Sequence, residues 1–528
     1  MNINTITIVG GGSAGWISAA FLKRSFPEKN IQIIESKNIP IIGVGESTLV
    51  DFSNLREYLG INEVDFMKDT NATYKMSIKF TDFYNKGDGG FHYPFKTPDL
   101  SNTSDGLYDW LDIKSVYKDT PVQDFVRCYF PNMALIEQNK FSANTSGEFG
   151  VFNPKTDVGY HFDAVLFGQY LKNKYCLPKG VKLIVADVVD VNIDDAGIES
   201  LLLDTGEEII SDLFIDCTGF KSLLLGESLK EPFDSFSHIL PNNRAIAVQI
   251  PYKDKEKELQ PFTNCTALEN GWCWNVPLWS RLGTGYVYSD KHASFKQAKN
   301  EFISYLKSDK MVIPRTDDDL KDLNFRDIPM KTGIYKRTWV KNVVAIGLSA
   351  GFIEPLESNA LFTVYWFLKR LSKSLIRGPV SQLDKDVYNA ATKGMYNNFA
   401  EFVALHYTLS IRRDSQYWID ISEKTYCQEM IDLIPTHNVG FFDLHRRKMF
   451  NRPRLDPTAG ITYISVGMNY LLKDHIDQEW EICGDTKNLK AYVSNLKEHY
   501  AKKKLEWQLS ADKSPSVYNY LKKNIYRE

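Results

Sequence analysis

The chain has 528 residues, which is enough for three or four domain-sized pieces or for one large composite fold. Its hydrophobic share of 43% and charged share of 24% are ordinary for a globular protein and exclude wholesale disorder. With 63 Lys plus Arg against 66 Asp plus Glu the net charge is −3, so no global positive field exists to hold a nucleic acid. Aromatic residues, at 13%, suit a large core or a flat apolar binding slot.

The seven cysteines are widely spaced and form no C-x-x-C pair, which argues against a zinc site and against a disulfide scaffold. No metal site is therefore expected, and a reduced, cytoplasmic compartment is the default expectation. The first residues, MNINTITIVGGG, lack the basic and apolar regions of a signal peptide. No run of about 18 apolar residues occurs, so no membrane-spanning helix is expected.

The first 35 residues predict a βαβ unit. A β-rich run at residues 6–9 breaks into a glycine turn at 10–15, and apolar residues with helical spacing follow. The next β-rich run, I-Q-I-I-E, ends at Glu35. This order indicates a Rossmann-like dinucleotide-binding element.

Three glycines of the turn have a physical task. Gly10 permits the tight bend, Gly12 lets backbone amides approach a pyrophosphate, and Gly15 allows close packing of helix on strand. Glu35 lies 20 residues beyond Gly15, the spacing at which an acid binds a ribose hydroxyl. The turn predicts a dinucleotide but does not separate NAD from FAD, and a tight turn without a ligand stays an alternative.

Two later segments favour FAD. Residues 212–219 (DLFIDCTG) resemble the second nucleotide-contacting strand of flavoproteins with two dinucleotide domains, and residues 342–351 resemble their later flavin-contacting strand. Each alone could be a buried parallel strand. Because only one G-x-G-x-x-G occurs, no second nucleotide domain for NADH is expected.

The remaining pattern is β-rich at 181–219 and 245–290 and mainly helical after 360. We therefore predict an α/β fold, in which a Rossmann-like FAD-binding box carries an interleaved substrate-side β-sheet and a mainly helical C-terminal part. The FAD-binding module is expected at 1–380, with substrate-side segments at about 75–150 and 225–320. The helical part is expected at 381–528, packed over the substrate site.

Trp272, Trp274 and Val276 alternate in the segment G-W-C-W-N-V-P and would share one face of a strand. Such a stripe is usually core. The segment W-C-W-N-V-P nevertheless resembles the W-x-W-x-I-P signature of the flavin-dependent tryptophan halogenase family, with valine in place of isoleucine. Further blocks resemble the same family up to about residue 420: GVGEST at 43–48, YHFDA at 160–164, GTGYVYS at 283–289, GFIEPLES at 351–358, and LHY at 405–407 followed by Arg412, Asp414 and Trp418.

The resemblance implies an enzyme in which reduced FAD, oxygen and a halide (chloride, bromide or iodide) yield hypohalous acid, which travels through a tunnel to a lysine beside an aromatic substrate. It implies Lys79 as this lysine and Glu357 as its partner. The residues alone do not choose between Lys75 and Lys79, or between Glu354 and Glu357. An ammonium has three donors that could polarise hypohalous acid, or the amine could carry the halogen, and a carboxylate could take the proton that the ring loses.

The resemblance also implies a wall, a halide site and a cofactor site. Trp272, Trp274 and Pro277 would separate flavin from substrate. Asn359 and Ala360 stand where the family usually has Thr-Gly, and their backbone donors could still bind a halide. The FAD-binding residues implied by the turn and the resemblance are Gly10, Gly12, Ser13, Ala14, Gly15, Glu35, Gly45, Glu46, Ser47, Thr48, Val188, Gly219, Gly347 and Leu356.

The family's tryptophan-clamping aromatic segment is not recognisable in residues 430–470, so we expect an open site for other indoles, phenols or larger aromatics. The expected partners are a small aromatic substrate and a separate NADH-dependent flavin reductase, and the chain could form a homo-oligomer. Two competing interpretations are a flavin-dependent aromatic monooxygenase on the same fold and a flavin-binding sensor without catalysis.

Overall fold

The computed structural model describes residues 3–38, 46–95, 108–144, 147–150, 152–424, 457–469 and 486–528. Gly45, and most of the segment in which a tryptophan clamp would lie, fall outside these residues. Among the described residues, no helix combines the length and the apolar character needed to cross a bilayer.

Strands and helices alternate in the described chain up to Phe352, and the described residues beyond it are mainly helical. The strands are β1 (Thr5–Val9), β2 (Asn30–Glu35), β3 (Glu46–Ser47), β4 (Thr73–Lys75), β5 (Ser77–Thr81), β6 (Gly90–Pro94), β7 (Gly159–Phe162), β8 (Lys182–Val185), β9 (Val188–Asp194), β10 (Gly197–Leu203), β11 (Glu208–Ile209), β12 (Leu213–Asp216), β13 (Phe233–Ser235), β14 (Arg244–Ile250), β15 (Phe262–Ala267), β16 (Gly271–Pro277), β17 (Leu282–Tyr288), β18 (Arg326–Pro329), β19 (Gly333–Tyr335), β20 (Trp339–Val340), β21 (Val343–Ala345) and β22 (Gly351–Phe352).

The α-helices are α1 (Ser13–Ser25), α2 (Asp51–Leu59), α3 (Glu63–Asp69), α4 (Tyr108–Val116), α5 (Asp124–Tyr129), α6 (Met133–Glu137), α7 (Ala164–Tyr170), α8 (Lys255–Glu258), α9 (Phe295–Leu306), α10 (Asp317–Leu320), α11 (Ala360–Ile376), α12 (Gln382–Thr408), α13 (Gln416–Lys424), α14 (Pro457–Gly467), α15 (Thr486–Asp512) and α16 (Val517–Leu521). Shorter helical turns cover Leu171–Cys176, Leu177–Lys179, Gly219–Lys221, Leu223–Ser228, Gly347–Ser349, Pro355–Glu357 and Lys522–Tyr526.

A sheet of six described strands, in the order β20-β21-β12-β1-β2-β8, forms the nucleotide-binding half. All its pairs are parallel except the β20–β21 edge. The carboxyl ends of parallel strands meet at one edge, so the turns after β1, β12 and β21 lie together there. The predicted α/β class with a Rossmann-like box is confirmed.

A second, mostly antiparallel sheet has the described order β18-β14-β17-β16-β15-β5-β6, with a parallel contact between β15 and β5. The tryptophan segment forms β16 in its middle, where every residue is buried. A small third sheet, β3-β7-β4, brings together the strands that carry Ser47, Lys75 and His161, which are separated by 28 and 86 positions in the sequence. This small sheet positions the candidate site.

The helical end is not packed as a separate body. Buried apolar residues from Ile3 to Ile525 form one continuous core that includes residues on both sides of position 380. The helix α14 packs on β6 of the second sheet. The domain limits 1–380 and 381–528 therefore stay a prediction.

Candidate active site

The glycine turn after β1 leaves room for a ligand. A Cβ at Gly10 would collide with the Cys217 carbonyl, and a Cβ at Gly15 with the Gly10 carbonyl. A Cβ at Gly12, in contrast, would meet no protein atom within 4 Å. The helix α1 follows with no side-chain cap, so the N–H groups of its first turn remain available to an anion.

A cavity of about 530 Å³ extends from this turn to the second sheet. Its wall is apolar near Trp274 and Val276, and polar at the other end, where Glu35 lies 2.8 Å from the Lys172 ammonium. An anion cradle, an acid for a ribose and an apolar slot are what FAD requires. The expected FAD-binding residues that line this cavity are Gly10, Gly12, Ser13, Ala14, Glu35, Ser47, Val188, Gly219 and Gly347.

Other expected cofactor residues do not line the cavity. Gly15 packs on the turn itself. Thr48 hydrogen-bonds Tyr160 instead, through both its backbone and its hydroxyl. Leu356 is fully buried. Glu46 pairs with Phe162 through the backbone, and its side chain, like Gly45, lies outside what the structure describes.

The structure brings Lys75 to the site. Its Nζ is buried and donates to the Ser358 hydroxyl at 2.8 Å and to the Thr48 carbonyl at 3.1 Å. The Phe95 ring lies 4.9 Å from the same nitrogen. Burial lowers the pKa of Lys75 to about 7, although the nearby Glu357 carboxylate opposes the shift. The amine is therefore available in both its charged and its neutral form near neutral pH.

The expectation that Lys79 partners Glu357 is wrong. Along β5, Phe80 turns to the Glu357 side, since its ring lies 4.7 Å from the His406 ring. Successive strand residues point to opposite faces, so Lys79 points away. It sits opposite His92 on β6, and Glu137 is the carboxylate that acts on it.

Glu357 lies in the turn Pro355–Glu357, immediately before Ser358. Its side chain is buried, and Oε1 is 2.9 Å from Nε2 of His406 on α12. The Lys75 ammonium donates to Ser358, the residue that follows Glu357, and the Glu357 carboxylate is near enough to favour the charged form of that amine. This pair can hold an oxidant and accept a proton.

Glu354 has a different surrounding. Its Oε2 accepts hydrogen bonds from Asn242 Nδ2 at 2.8 Å, Trp272 Nε1 at 3.0 Å and the Tyr407 hydroxyl at 2.9 Å. Burial raises the pKa of Glu354, and the three donors oppose that shift. Glu354 therefore holds Trp272, whereas Glu357 lies beside the residue that accepts the Lys75 hydrogen bond.

The tryptophan stripe lies at one wall of the cavity. Trp274 and Val276 line the cavity, while Trp272 is fully buried next to Trp274, with the two ring centroids 6.2 Å apart. Pro277 does not line the cavity, and its carbonyl accepts a hydrogen bond from Thr73. Of the three residues expected to form the wall, only Trp274 borders the cavity.

Asn359 and Ala360 lie at the cavity where α11 begins. Asn359 has no capping hydrogen bond, and its Nδ2 is buried without a partner among the described residues. Ser358 before it is left-handed, with φ +56°. Free helix N–H groups and a spare amide donor together suit a small anion.

Four residues of this site carry no role in the expectations from the sequence: Ser358, His161, Thr263 and His406. His161 and His406 lie within blocks that carried the resemblance, so position in a motif was an available signal. Lys75 was considered, but nothing in its local sequence distinguishes it from Lys79.

A nucleotide-type cavity beside a buried lysine and carboxylate defines the fold and site of a flavin-dependent halogenase. The sequence model of the tryptophan halogenase family matches residues 5–457. The 7-chloro-L-tryptophan 6-halogenase KtzR of Kutzneria sp. (strain 744) is 34% identical over 436 residues, covering 79% of this chain and 81% of the relative. The structure of VirX1 has 35% identity, a TM-score of 0.87 and coverage of 99% of this chain and 100% of its own. BrvH, a flavin-dependent halogenase from Brevundimonas sp. BAL3, has 29% identity, a TM-score of 0.81 and coverage of 98% and 99%.

The chain belongs to the tryptophan halogenase family. The resemblance that the sequence motifs indicated is thereby confirmed, and the protein is an enzyme.

Proposed function

We propose that the protein halogenates an aromatic small molecule with reduced FAD, O2 and a halide ion, and that Lys75 receives the oxidant. The observation that carries this proposal is the contact between Lys75 Nζ and Ser358, a residue that lines the flavin cavity. The amine therefore lies one side chain beyond the cavity wall, beside Glu357.

Reduced FAD, when bound, would supply two electrons and two protons, with which O2, a halide ion and one further proton become hypohalous acid and water. The substrate then exchanges a ring proton for the halogen, and the remaining oxygen leaves as water. Lys75 can polarise the oxidant through an N–H donor or carry the halogen on its neutral amine. Glu357 can accept the ring proton, since a positioned carboxylate acts as a general base.

The other residues have binding roles in this proposal. The glycine turn and Glu35 hold the FAD diphosphate and ribose, and Asn359 with Ala360 holds the halide. Trp274, held from behind by Trp272 and Glu354, separates the ring of the flavin from the substrate and so disfavours direct oxygen transfer. Because the chain has one dinucleotide turn, a separate NADH-dependent reductase supplies FADH2.

We further propose that the substrate is an indole, a phenol or a larger aromatic rather than free tryptophan alone. KtzR acts on a chlorinated tryptophan, as its name states. The clamp segment is not recognisable in this sequence. Among the described residues, Tyr463 of α14 packs against Tyr93 of β6, with ring centroids 5.8 Å apart. Because the clamp motif is not recognisable in the sequence, we expect a broader substrate range.

The test supplies the protein with FAD, a flavin reductase, NADH, oxygen and bromide, together with indoles, phenols and free tryptophan. Mass spectrometry reads the paired bromine isotopes of brominated products, whereas a monooxygenase would add one oxygen and no such pair. Bound FAD without any product would support the sensor interpretation. Bromination of tryptophan alone would contradict the open substrate site and leave the halogenase assignment intact.

A further inference from the structure

A continuous hydrogen-bonded chain leads from the candidate lysine into the small sheet β3-β7-β4. Lys75 Nζ donates to Ser358 Oγ at 2.8 Å, and Ser358 Oγ donates to Ser47 Oγ at 3.1 Å. Ser47 Oγ lies 2.7 Å from Thr263 Oγ1, which lies 2.9 Å from Nε2 of His161. Three hydroxyl groups thus join a buried amine to a buried histidine.

The His161 end of this hydrogen-bonded chain determines which group donates in each of its hydrogen bonds. Thr73 Oγ1 donates to the Pro277 carbonyl at 2.6 Å, so towards His161 Nδ1, 3.3 Å away, it must act as an acceptor. Burial and the Lys75 ammonium hold the pKa of His161 well below its usual value. The neutral ring, protonated at Nδ1, leaves Nε2 as an acceptor for Thr263.

Each hydroxyl has one proton, so the direction propagates along the chain. Thr263 gives its proton to His161, Ser47 must therefore donate to Thr263, and Ser358 must donate to Ser47. Since the Ser358 hydroxyl donates its one proton to Ser47, it can only accept a hydrogen bond from Lys75. The carbonyl of Thr48, which is the second partner of Lys75, is likewise only an acceptor.

We propose that His161 is a positioning residue. Through these oriented hydrogen bonds it fixes the direction of the lone pair, or of the third N–H, of Lys75 Nζ. A neutral amine gives its two protons to Ser358 and Thr48, so its lone pair must take a third direction. In the ammonium form, the third N–H takes the same direction. This inference rests on the proposed role of Lys75, and it identifies what makes that amine usable.

Loss of one hydrogen bond between the hydroxyl groups has two consequences at Lys75. Ser358, free to turn, would donate to the neutral amine and occupy the lone pair that must attack. The same hydrogen bond would stabilise the neutral form and lower the pKa of Lys75 further. The titratable groups that face this amine are Glu357 from its turn, Cys265 from β15 and His161 from β7.

Isocyanic acid, formed from cyanate, carbamoylates neutral amines and tests Lys75 without any flavin chemistry. The rate at Lys75 is followed by peptide mass spectrometry from about pH 6 to about pH 10, which brackets the titration, in the full chain with oxidised FAD supplied. Thr263→Val removes the hydroxyl and keeps the side-chain shape. Because the isocyanic acid fraction of total cyanate falls as the pH rises, the rate constant is expressed per isocyanic acid. We expect its limiting value at high pH to fall about fivefold, the effect of one ordinary hydrogen bond, and the midpoint to move to lower pH.

Three further variants complete the test. Thr263→Ser restores the hydroxyl and should return both values towards those of the wild type. Ser47→Ala breaks the chain at another link and should reproduce the effect of Thr263→Val. Thr266→Val is the matched control, since Thr266 is buried on the same strand but on the opposite face.

Wild-type rate and midpoint in Thr263→Val and Ser47→Ala, with FAD still bound, would overturn the inference. A loss in Thr266→Val equal to that in Thr263→Val would also overturn it, because the effect would then be general strand damage. Failure of the proposed function looks different: the wild type would react with cyanate at Lys75 and yet brominate nothing.

Discussion

His406 Nε2 lies 2.9 Å from Glu357 Oε1, and both side chains are buried. The other ring nitrogen of His406 lies 3.1 Å and 3.2 Å from the carbonyls of Phe402 and Val403, which only accept, so Nδ1 carries a proton. Without a further proton, Nε2 and Oε1 would present lone pairs to each other. The two groups therefore share one proton, and α12 fixes the orientation of the proposed base.

Replacing His406 tests this coupling. His406→Leu removes the hydrogen-bond partner of the buried Glu357 carboxylate, so the proposed base loses the contact that orients it. We expect bromination to slow by about a hundredfold, the usual contribution of a general base. His406→Gln, which can still donate from a similar position, should retain more activity. The measurement is turnover with saturating bromide, and a His406→Leu enzyme with wild-type turnover would contradict the coupling.

The two lysines give a paired prediction. Lys75→Met removes the buried amine beside Glu357 and should abolish bromination while FAD remains bound. Lys79→Met changes a side chain on the opposite face of β5 and should retain most of the activity. Product yield and bound flavin absorbance are measured for both variants. If Lys79→Met were inactive and Lys75→Met active, the assignment of the site would be reversed.

The pH dependence separates the two routes open to Lys75. Because the pKa of Lys75 is lowered to about 7, its ammonium form prevails below that pH and its neutral amine above it. Burial moves the pKa of Cys265 up and that of His161 down, so neither titrates close to neutral pH. If the amine carries the halogen, the single-turnover rate rises as the pH increases through about 7. If the ammonium polarises hypohalous acid, the rate falls over the same interval.

Asn359 is expected to determine halide affinity. Its unpartnered Nδ2 at the start of α11 can donate to a halide, and Asn359→Leu removes that donor at similar size. A hydrogen bond to a charged group is worth about 1.5–3 kcal/mol, so the bromide KM should rise by roughly 10-fold to 100-fold. The KM for the aromatic substrate should not change. Equal increases in both constants would argue against a halide contact.

Alanine substitutions at two glycines of the turn should have different effects, one on FAD binding and the other on stability. Gly12→Ala places a methyl group in free space, so the fold should keep its stability while FAD binds about tenfold more weakly or worse, a loss of about 1.4 kcal/mol. Gly15→Ala drives a methyl group into the Gly10 carbonyl and should lower the free energy of unfolding. Flavin titration and urea unfolding distinguish the two. Unchanged FAD affinity in Gly12→Ala would exclude this turn as the diphosphate site.

The nucleotide-binding half could be predicted because its determinants are local. Gly10 needs a left-handed backbone with φ +115°, and Gly15 needs contact with Gly10, and both demands are written within six consecutive residues. Parallel strands around it follow from short apolar runs that precede glycine turns. The sequence therefore predicts the cavity wall at Gly10, Gly219 and Gly347.

The reactive lysine could not be predicted by the same means. Met76 separates β4 from β5, so Lys75 ends a strand of the small sheet and Lys79 lies in the seven-stranded one. The lysine that lies beside Glu357 is determined by this passage from one sheet to the other. The spacing of residues in the sequence does not show where that passage occurs. Likewise, the pairing of His406 with Glu357 joins positions 406 and 357 through the packing of α12, not through a local pattern.

The burial of Lys75 also determines how this amine behaves when the protein partly unfolds. Solvent would return the amine to the ordinary lysine pKa of about 10.4, where almost all of it is protonated at neutral pH. The same opening would scatter Ser47, Thr263 and Ser358, which come from three distant parts of the chain. In a partly unfolded molecule Lys75 would thus be mostly protonated and without its oriented hydrogen bonds. The neutral, oriented amine forms only in the folded protein.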